Sequence, residues 1–228
     1  MSASTLFYSM ACGLLPSLIW LWFWLREDAN PEPRTMIVAT FLGGTLSVIA
    51  AIFAEKYVAE TISDPTLRYT IWAAVEEIVK VIAVAVIALN SGYNDEPIDA
   101  MIYCIVVALG FAALENTLFL FNPLSNGEVA LSIATGNMRF VGATLVHIVS
   151  TATVGFALGY AYYRGYFAKF LAVVIGLSAA ITLHAAFNLS IINGTSTDTL
   201  KAFSWVWGAA VILIVLFEEI KVVKPRLS

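Results

Sequence analysis

Five ionisable side chains lie inside long apolar stretches of this sequence, and all are of types that bind metals or move protons. They are Glu76, Glu77, Glu115, His147 and His184. An ionisable group costs a few kcal/mol to place in a bilayer-spanning helix, so such residues usually pair, face the bundle interior and serve a function. They indicate an enzyme, or a proton- or divalent-cation-coupled membrane transporter.

Two imidazoles and a carboxylate form the three-ligand zinc site, with one open position, that is typical of hydrolases. In one scheme Glu115, His147 and His184 bind zinc and Glu76 is the general base for the bound water. In the other, no metal is needed: a glutamate and a histidine activate water, and Asn188 donates a hydrogen bond to the oxyanion. Both schemes hydrolyse an amide bond, and the residues allow either.

The composition is that of a polytopic membrane protein. Of the 228 residues, 60% are hydrophobic and only 12% are charged, and the mean hydropathy is +0.86. We therefore predict a single integral membrane domain over residues 1–228, with a catalytic core over about 69–192 and the lipid bilayer as its surroundings. The net charge of −4 and the absence of a basic patch argue against a nucleic-acid partner.

Seven segments are long enough to cross a bilayer as helices, which predicts an all-α transmembrane bundle. Before the third segment, Ser63 or Asp64 is placed to cap the helix, with Pro65 at its first position. The polar 122–138 connection has room for a short interfacial helix. The predicted spans cover residues 4–25, 35–54, 69–90, 98–121, 139–163, 169–192 and 200–218.

The distribution of Lys and Arg predicts the orientation. One set of connections and the C-terminal tail hold seven basic residues: Arg26, Arg34, Arg164, Lys169, Lys221, Lys224 and Arg226. The opposite set holds four: Lys56, Arg68, Arg139 and Lys201. Because basic residues favour the cytoplasmic side, we predict that the N-terminus is outside and the C-terminus is inside.

The acids and histidines share one depth in the membrane. Glu76, Glu115, His147 and His184 each lie within about eight residues of the same end of their spans. A rise of about 1.5 Å per residue places all four roughly 8–12 Å below one surface. Because four different helices contribute to this layer, we predict one shared site.

Spacing within the helices predicts how the charges pair. Glu76 and Glu77 precede Lys80 by four and three residues, so Lys80 can neutralise one of them and leave the other free. That ion pair is equally consistent with a purely structural role in helix packing. Arg139 enters the fifth span two turns before His147 and is placed to balance the remaining negative charge.

Four short motifs follow one another on successive helices: EEIVK at 76–80, GFAALEN at 110–116, HIVST at 147–151 and HAAFN at 184–188. This ordered set resembles the PrsW family of membrane proteases, which is related to the CAAX prenyl proteases and bacteriocin-processing proteins. Those relatives carry FxxxH, whereas Phe111 and Glu115 give FxxxE here, which favours the PrsW branch.

The resemblance implies an endopeptidase that cuts a membrane-anchored protein near its extracytoplasmic side, in a site-1 type of cleavage. The substrate would resemble an anti-sigma factor. The resemblance assigns function to Glu76, Glu77, Glu115, His147, His184 and Asn188, and it allows a zinc ion without requiring one. It also implies location in the cell membrane. The transporter alternative lacks the internal repeat and the interrupted helices that many transporters have.

Overall fold

Apolar helices joined by short polar connections form the whole of the described structure. The computed structural model describes residues 3–192 and 195–225. Two of the helices contain short π-helical segments, at Ala85–Leu89 and Arg139–Ala143. The α-helices are α1 (Ala3–Arg26), α2 (Arg34–Thr61), α3 (Pro65–Val84), α4 (Asp99–Ser125), α5 (Val129–Met138), α6 (Thr144–Tyr160), α7 (Tyr166–Ile192) and α8 (Ser196–Lys221).

The seven predicted spans correspond to seven continuous helices, because the π segments extend α3 and join α5 to α6. The chain is thus a multi-pass helical membrane bundle, and the predicted fold class is confirmed. The fifth span is longer than predicted, because the helix around 128–133 runs on into α6 without a break.

Within the described ranges, six helices are long and apolar enough to cross a bilayer. The seventh is α3, which carries Glu76, Glu77 and Lys80 within two turns. All three charged residues are buried, whereas Ile78, Ile82 and Val86 are exposed on the outer side. The charges of α3 therefore face the protein and its lipid-facing surface is apolar.

The third helix begins where the sequence predicts. The Asp64 carboxylate accepts a hydrogen bond from the backbone N–H of Leu67 at 2.6 Å, and Pro65 occupies the first turn. This cap satisfies a backbone donor that the helix itself leaves unpaired. Asp64, rather than Ser63, is thus the capping residue.

The fourth helix forms the centre of the bundle and packs against α1, α2 and α6. Glycines allow α2 to approach it closely. A Cβ atom on Gly44 would lie 2.0 Å from the carbonyl oxygen of Val107, and one on Gly110 would lie 1.9 Å from that of Phe41. A side chain at either position would force the two helices apart, so this contact fixes the position of α2 relative to Glu115 on α4.

At the end of the bundle where α1 stops and α2 begins, polar contacts tie the 27–33 connection to the first turns of α4 and to the residues just before it. The Tyr103 hydroxyl donates a hydrogen bond to Glu32, and the Asn30 amide donates to Glu96 at 3.2 Å. Burial raises the pKa of Glu32 above its ordinary value.

Arg226, one of the seven basic residues on which the predicted orientation depends, lies outside the described residues.

Candidate active site

A cavity of about 330 Å³ lies between α2, α3, α4, α6 and α7, and extends towards Tyr69 and Ile192 near the helix ends. The structure brings five of the six predicted site residues to its wall: Glu76, Glu115, His147, His184 and Asn188. The sixth, Glu77, lies directly behind them and is fully buried. Most of the remaining wall is apolar.

Glu76 and the two histidines form the centre of this cluster. The Glu76 Oε2 atom lies 3.9 Å from His147 Nδ1 and 3.7 Å from His184 Nε2. One ligand atom from each of the three residues lies within 4.8 Å of the other two. Within the described part of the chain, Glu76 Oε2 is buried and makes no hydrogen bond. A buried carboxylate oxygen without a partner is costly, so a ligand that bound this oxygen would stabilise the site.

Glu77 orients His184 from behind. The Nδ1 atom of His184 lies 2.8 Å from Glu77 Oε1, and the Thr151 hydroxyl donates to Glu77 Oε2 at 2.8 Å. Lys80 donates to the same carboxylate at 2.5 Å, and both members of that ion pair are fully buried. The sequence allowed Lys80 to pair with Glu76 or Glu77, and the structure selects Glu77.

Glu115 orients His147 in the same way. The Nε2 atom of His147 lies 2.8 Å from Glu115 Oε2. The guanidinium of Arg139 pairs with Glu115 and donates to the Asn116 side-chain oxygen at 2.6 Å. Arg139 thus neutralises Glu115, the charge balance that its position in the sequence predicts, and it stands in a π segment, a feature common at functional sites.

These contacts define which ring nitrogens keep a lone pair. A carboxylate only accepts hydrogen bonds, so the His184 Nδ1–H and the His147 Nε2–H donate to Glu77 and Glu115 respectively. The other nitrogen of each neutral ring then keeps its lone pair: His184 Nε2 lies 3.7 Å from Glu76 Oε2, whereas His147 Nδ1, 3.9 Å from the same oxygen, accepts a hydrogen bond from the Lys80 ammonium at 3.2 Å. A carboxylate on the far nitrogen is the usual support for a metal-binding histidine.

The three donor atoms fit a divalent metal ion. Ligands about 2.1 Å from zinc in a tetrahedral site lie about 3.4 Å apart, close to the separations of 3.7 and 3.9 Å between Glu76 Oε2 and the two histidine nitrogens. The unpartnered Glu76 oxygen supplies the negative charge. The geometry therefore groups Glu76, rather than Glu115, with the histidines.

Sequence reasoning missed one acidic residue of the cavity, Glu55 on α2, because the predicted second span ends at residue 54. Glu55 lines the cavity beside Glu76. The helical periodicity held a signal, since Gly44, Val48, Ala51 and Val58 are buried at spacings of four, three and seven residues. Residue 55 falls on the same face.

Comparisons with known proteins agree with the site. The family model described as PrsW family intramembrane metalloprotease matches residues 32–219. No solved structure matches the chain. A protein named Protease PrsW from Geobacillus kaustophilus (strain HTA426) is 30% identical over 68% of this chain and 67% of its own length.

Two further relatives carry the name Protease PrsW. That of Clostridioides difficile (strain 630) is 27% identical over 77% of this chain and 76% of its own length. That of Bacillus subtilis (strain 168) is 23% identical over 80% of this chain and 82% of its own length. These matches favour an enzyme over the transporter that the ionisable residues also allowed. The chain belongs to the PrsW family of intramembrane metalloproteases and is a membrane protease.

Proposed function

We propose that this protease cuts a membrane-anchored protein near the extracytoplasmic surface of the cell membrane, in a site-1 type of cleavage on a substrate such as an anti-sigma factor. The observation that carries the hydrolytic part is the cluster of Glu76 and two histidine rings, with one ligand atom of each within 4.8 Å of the others, in a cavity within a membrane-spanning bundle.

In this proposal Glu76, His147 and His184 hold a divalent metal, most simply zinc. The chemistry that such an ion supplies when bound is polarisation of the scissile carbonyl and activation of water. Relative to the set predicted from sequence, Glu76 and Glu115 exchange roles. Glu115 lines the cavity with 19% of its side chain exposed, so it is the carboxylate that takes the proton from the attacking water.

The remaining residues bind and orient the substrate. Asn188 lies one turn beyond His184 on the same face of α7 and supplies an amide N–H to the carbonyl oxygen of the scissile bond. The apolar wall, which includes Trp72, Phe119 and Phe187, accommodates side chains of a substrate segment. An extended backbone is tolerated at membrane depth only where protein surrounds it, and the cavity provides that shelter.

We expect chelation to inactivate the protein. Treatment with 1,10-phenanthroline should lower cleavage by roughly tenfold or more, and added zinc should restore it. Activity is scored as new N-termini of single-span membrane proteins in membranes that contain the protein. Membranes with the Glu76→Gln variant provide the background. Full activity after chelation, in a preparation with less than about one tenth of an equivalent of zinc, would leave the metal-free glutamate mechanism.

The proposed orientation predicts which loops are accessible from outside the cell. Ser125 and Ser196 are exposed on the side of the cavity, and Gly165 is exposed on the opposite side with open space around a new side chain. In a Cys12→Ala background, cysteines at 125 and 196 should react with an impermeant maleimide in intact cells. A cysteine at 165 should react only after the cells are opened. The reverse pattern would exclude an extracytoplasmic cleavage site.

A further inference from the structure

The charges around the cavity do not balance. Four acids are present, and two of them have a cation partner: Glu77 pairs with Lys80, and Glu115 pairs with Arg139. The other two, Glu55 and Glu76, form no ion pair with a lysine or arginine in the part of the chain that the structure describes. With both histidines neutral and all four acids ionised, four negative and two positive charges sum to −2.

Glu55 and Glu76 also lie close together. Both side chains line the same cavity, and their carboxyl groups are near enough to interact. Two ionised carboxylates in proximity repel each other unless positive charge lies beside them. A divalent cation bound at Glu76 carries the two positive charges that the site lacks.

The backbone holds Glu55 in this place. The indole N–H of Trp72 on α3 donates to the Glu55 carbonyl oxygen at 3.1 Å. Trp72 lies one turn before Glu76 on the same face of α3, so the hydrogen bond links α2 to α3 at the level of the site. On α2, Val48 and Ala51 pack with Phe111 in a small core below Glu55. The side chain is therefore supported by its neighbours rather than left at a loose helix end.

We propose that Glu55 is a positioning residue of the metal site. Its carboxylate acts through Glu76: it adds negative charge beside the bound divalent cation and so raises the affinity of the site for that cation. This inference rests on the proposed metal site. Glu55 is not within the 4.8 Å ligand group of Glu76 and the histidines, so its role is that of an outer partner. Partners of this kind typically change metal affinity by about 10–100-fold.

The test measures zinc affinity of the purified full chain in detergent by competition with a chromophoric chelator. Glu55→Gln should weaken zinc binding by about 10–100-fold, and cleavage should return towards the wild-type rate when zinc is added in excess. Glu60→Gln is the matched control, since it removes an acid from an exposed position of the same helix. It should bind zinc like the wild type.

Glu55→Asp keeps the negative charge but moves it one methylene group further from Glu76. The zinc affinity of this variant should fall between those of the wild type and Glu55→Gln. This variant decides the matter if Glu55→Gln does not fold. Wild-type zinc affinity in both Glu55 variants would overturn the inference, as would lost cleavage that excess zinc does not restore. Failure of the wild type itself to bind zinc would overturn the metal site as a whole, which is a different result.

Discussion

Replacing Glu76 by glutamine should abolish both cleavage and metal binding while the protein still folds and inserts. The change keeps the side-chain volume but removes the charge of the carboxylate oxygen that faces both histidines. Removal of one member of a catalytic set lowers turnover by roughly 10³-fold or more. Because Glu76 Oε2 makes no hydrogen bond within the described residues, the substitution disrupts no polar contact of that atom and should leave the folded state intact.

The comparison with Glu115→Gln separates the two possible ligand sets. Glu115 contacts His147 and Arg139, so in our proposal its glutamine variant still binds zinc, with an affinity about 10–100-fold weaker. At saturating zinc its cleavage rate falls by about 10²–10⁴-fold, the usual contribution of a general base. The ligand set predicted from sequence requires the reverse, with zinc lost in Glu115→Gln and retained in Glu76→Gln. Zinc content and cleavage rate of the two purified variants decide between them, with detergent-solubilised melting curves as the control for folding.

The sequence was sufficient to predict that the site residues converge. Glu76, Glu115, His147 and His184 lie at one depth because helix rise is regular, and depth can be counted along each span. The ion pair of Glu77 and Lys80 could likewise be predicted, because residues three apart lie on the same face of a helix. All seven helices could be predicted from the lengths of the apolar segments. This includes α3, which is not among the six helices found by length and composition because it carries three charged residues.

Rotation of the helices about their axes was not predictable. Neighbouring residues on a helix point about 100° apart, so the choice between Glu76 and Glu77 as the residue that faces the cavity depends on how α3 packs against α6 and α7. The close approach at Gly44 and Gly110 sets the position of α2, and with it that of Glu55. Such contacts join residues that are distant in sequence, and a single sequence gives no direct sign of them.

The buried pair of Glu77 and Lys80 should control stability and activity separately. Glu77→Gln leaves the Lys80 ammonium, which is fully buried, without its carboxylate. Removal of one partner of a buried pair typically costs about 3–5 kcal/mol, because the remaining charge is uncompensated. We therefore expect Glu77→Gln to melt well below the wild type in detergent, with little cleavage.

The double variant Glu77→Gln/Lys80→Met should recover most of that stability, because an apolar side chain of similar volume replaces the uncompensated charge. Cleavage should stay about 10–100-fold below the wild-type rate, since His184 Nδ1 then has an amide rather than a carboxylate as its partner. Melting temperature and cleavage rate are measured on the same preparations. Full activity in the double variant would show that the pair serves helix packing alone. A low rate in a protein of wild-type stability would show that the pair, whose members contact His184 and His147, serves catalysis as well as helix packing.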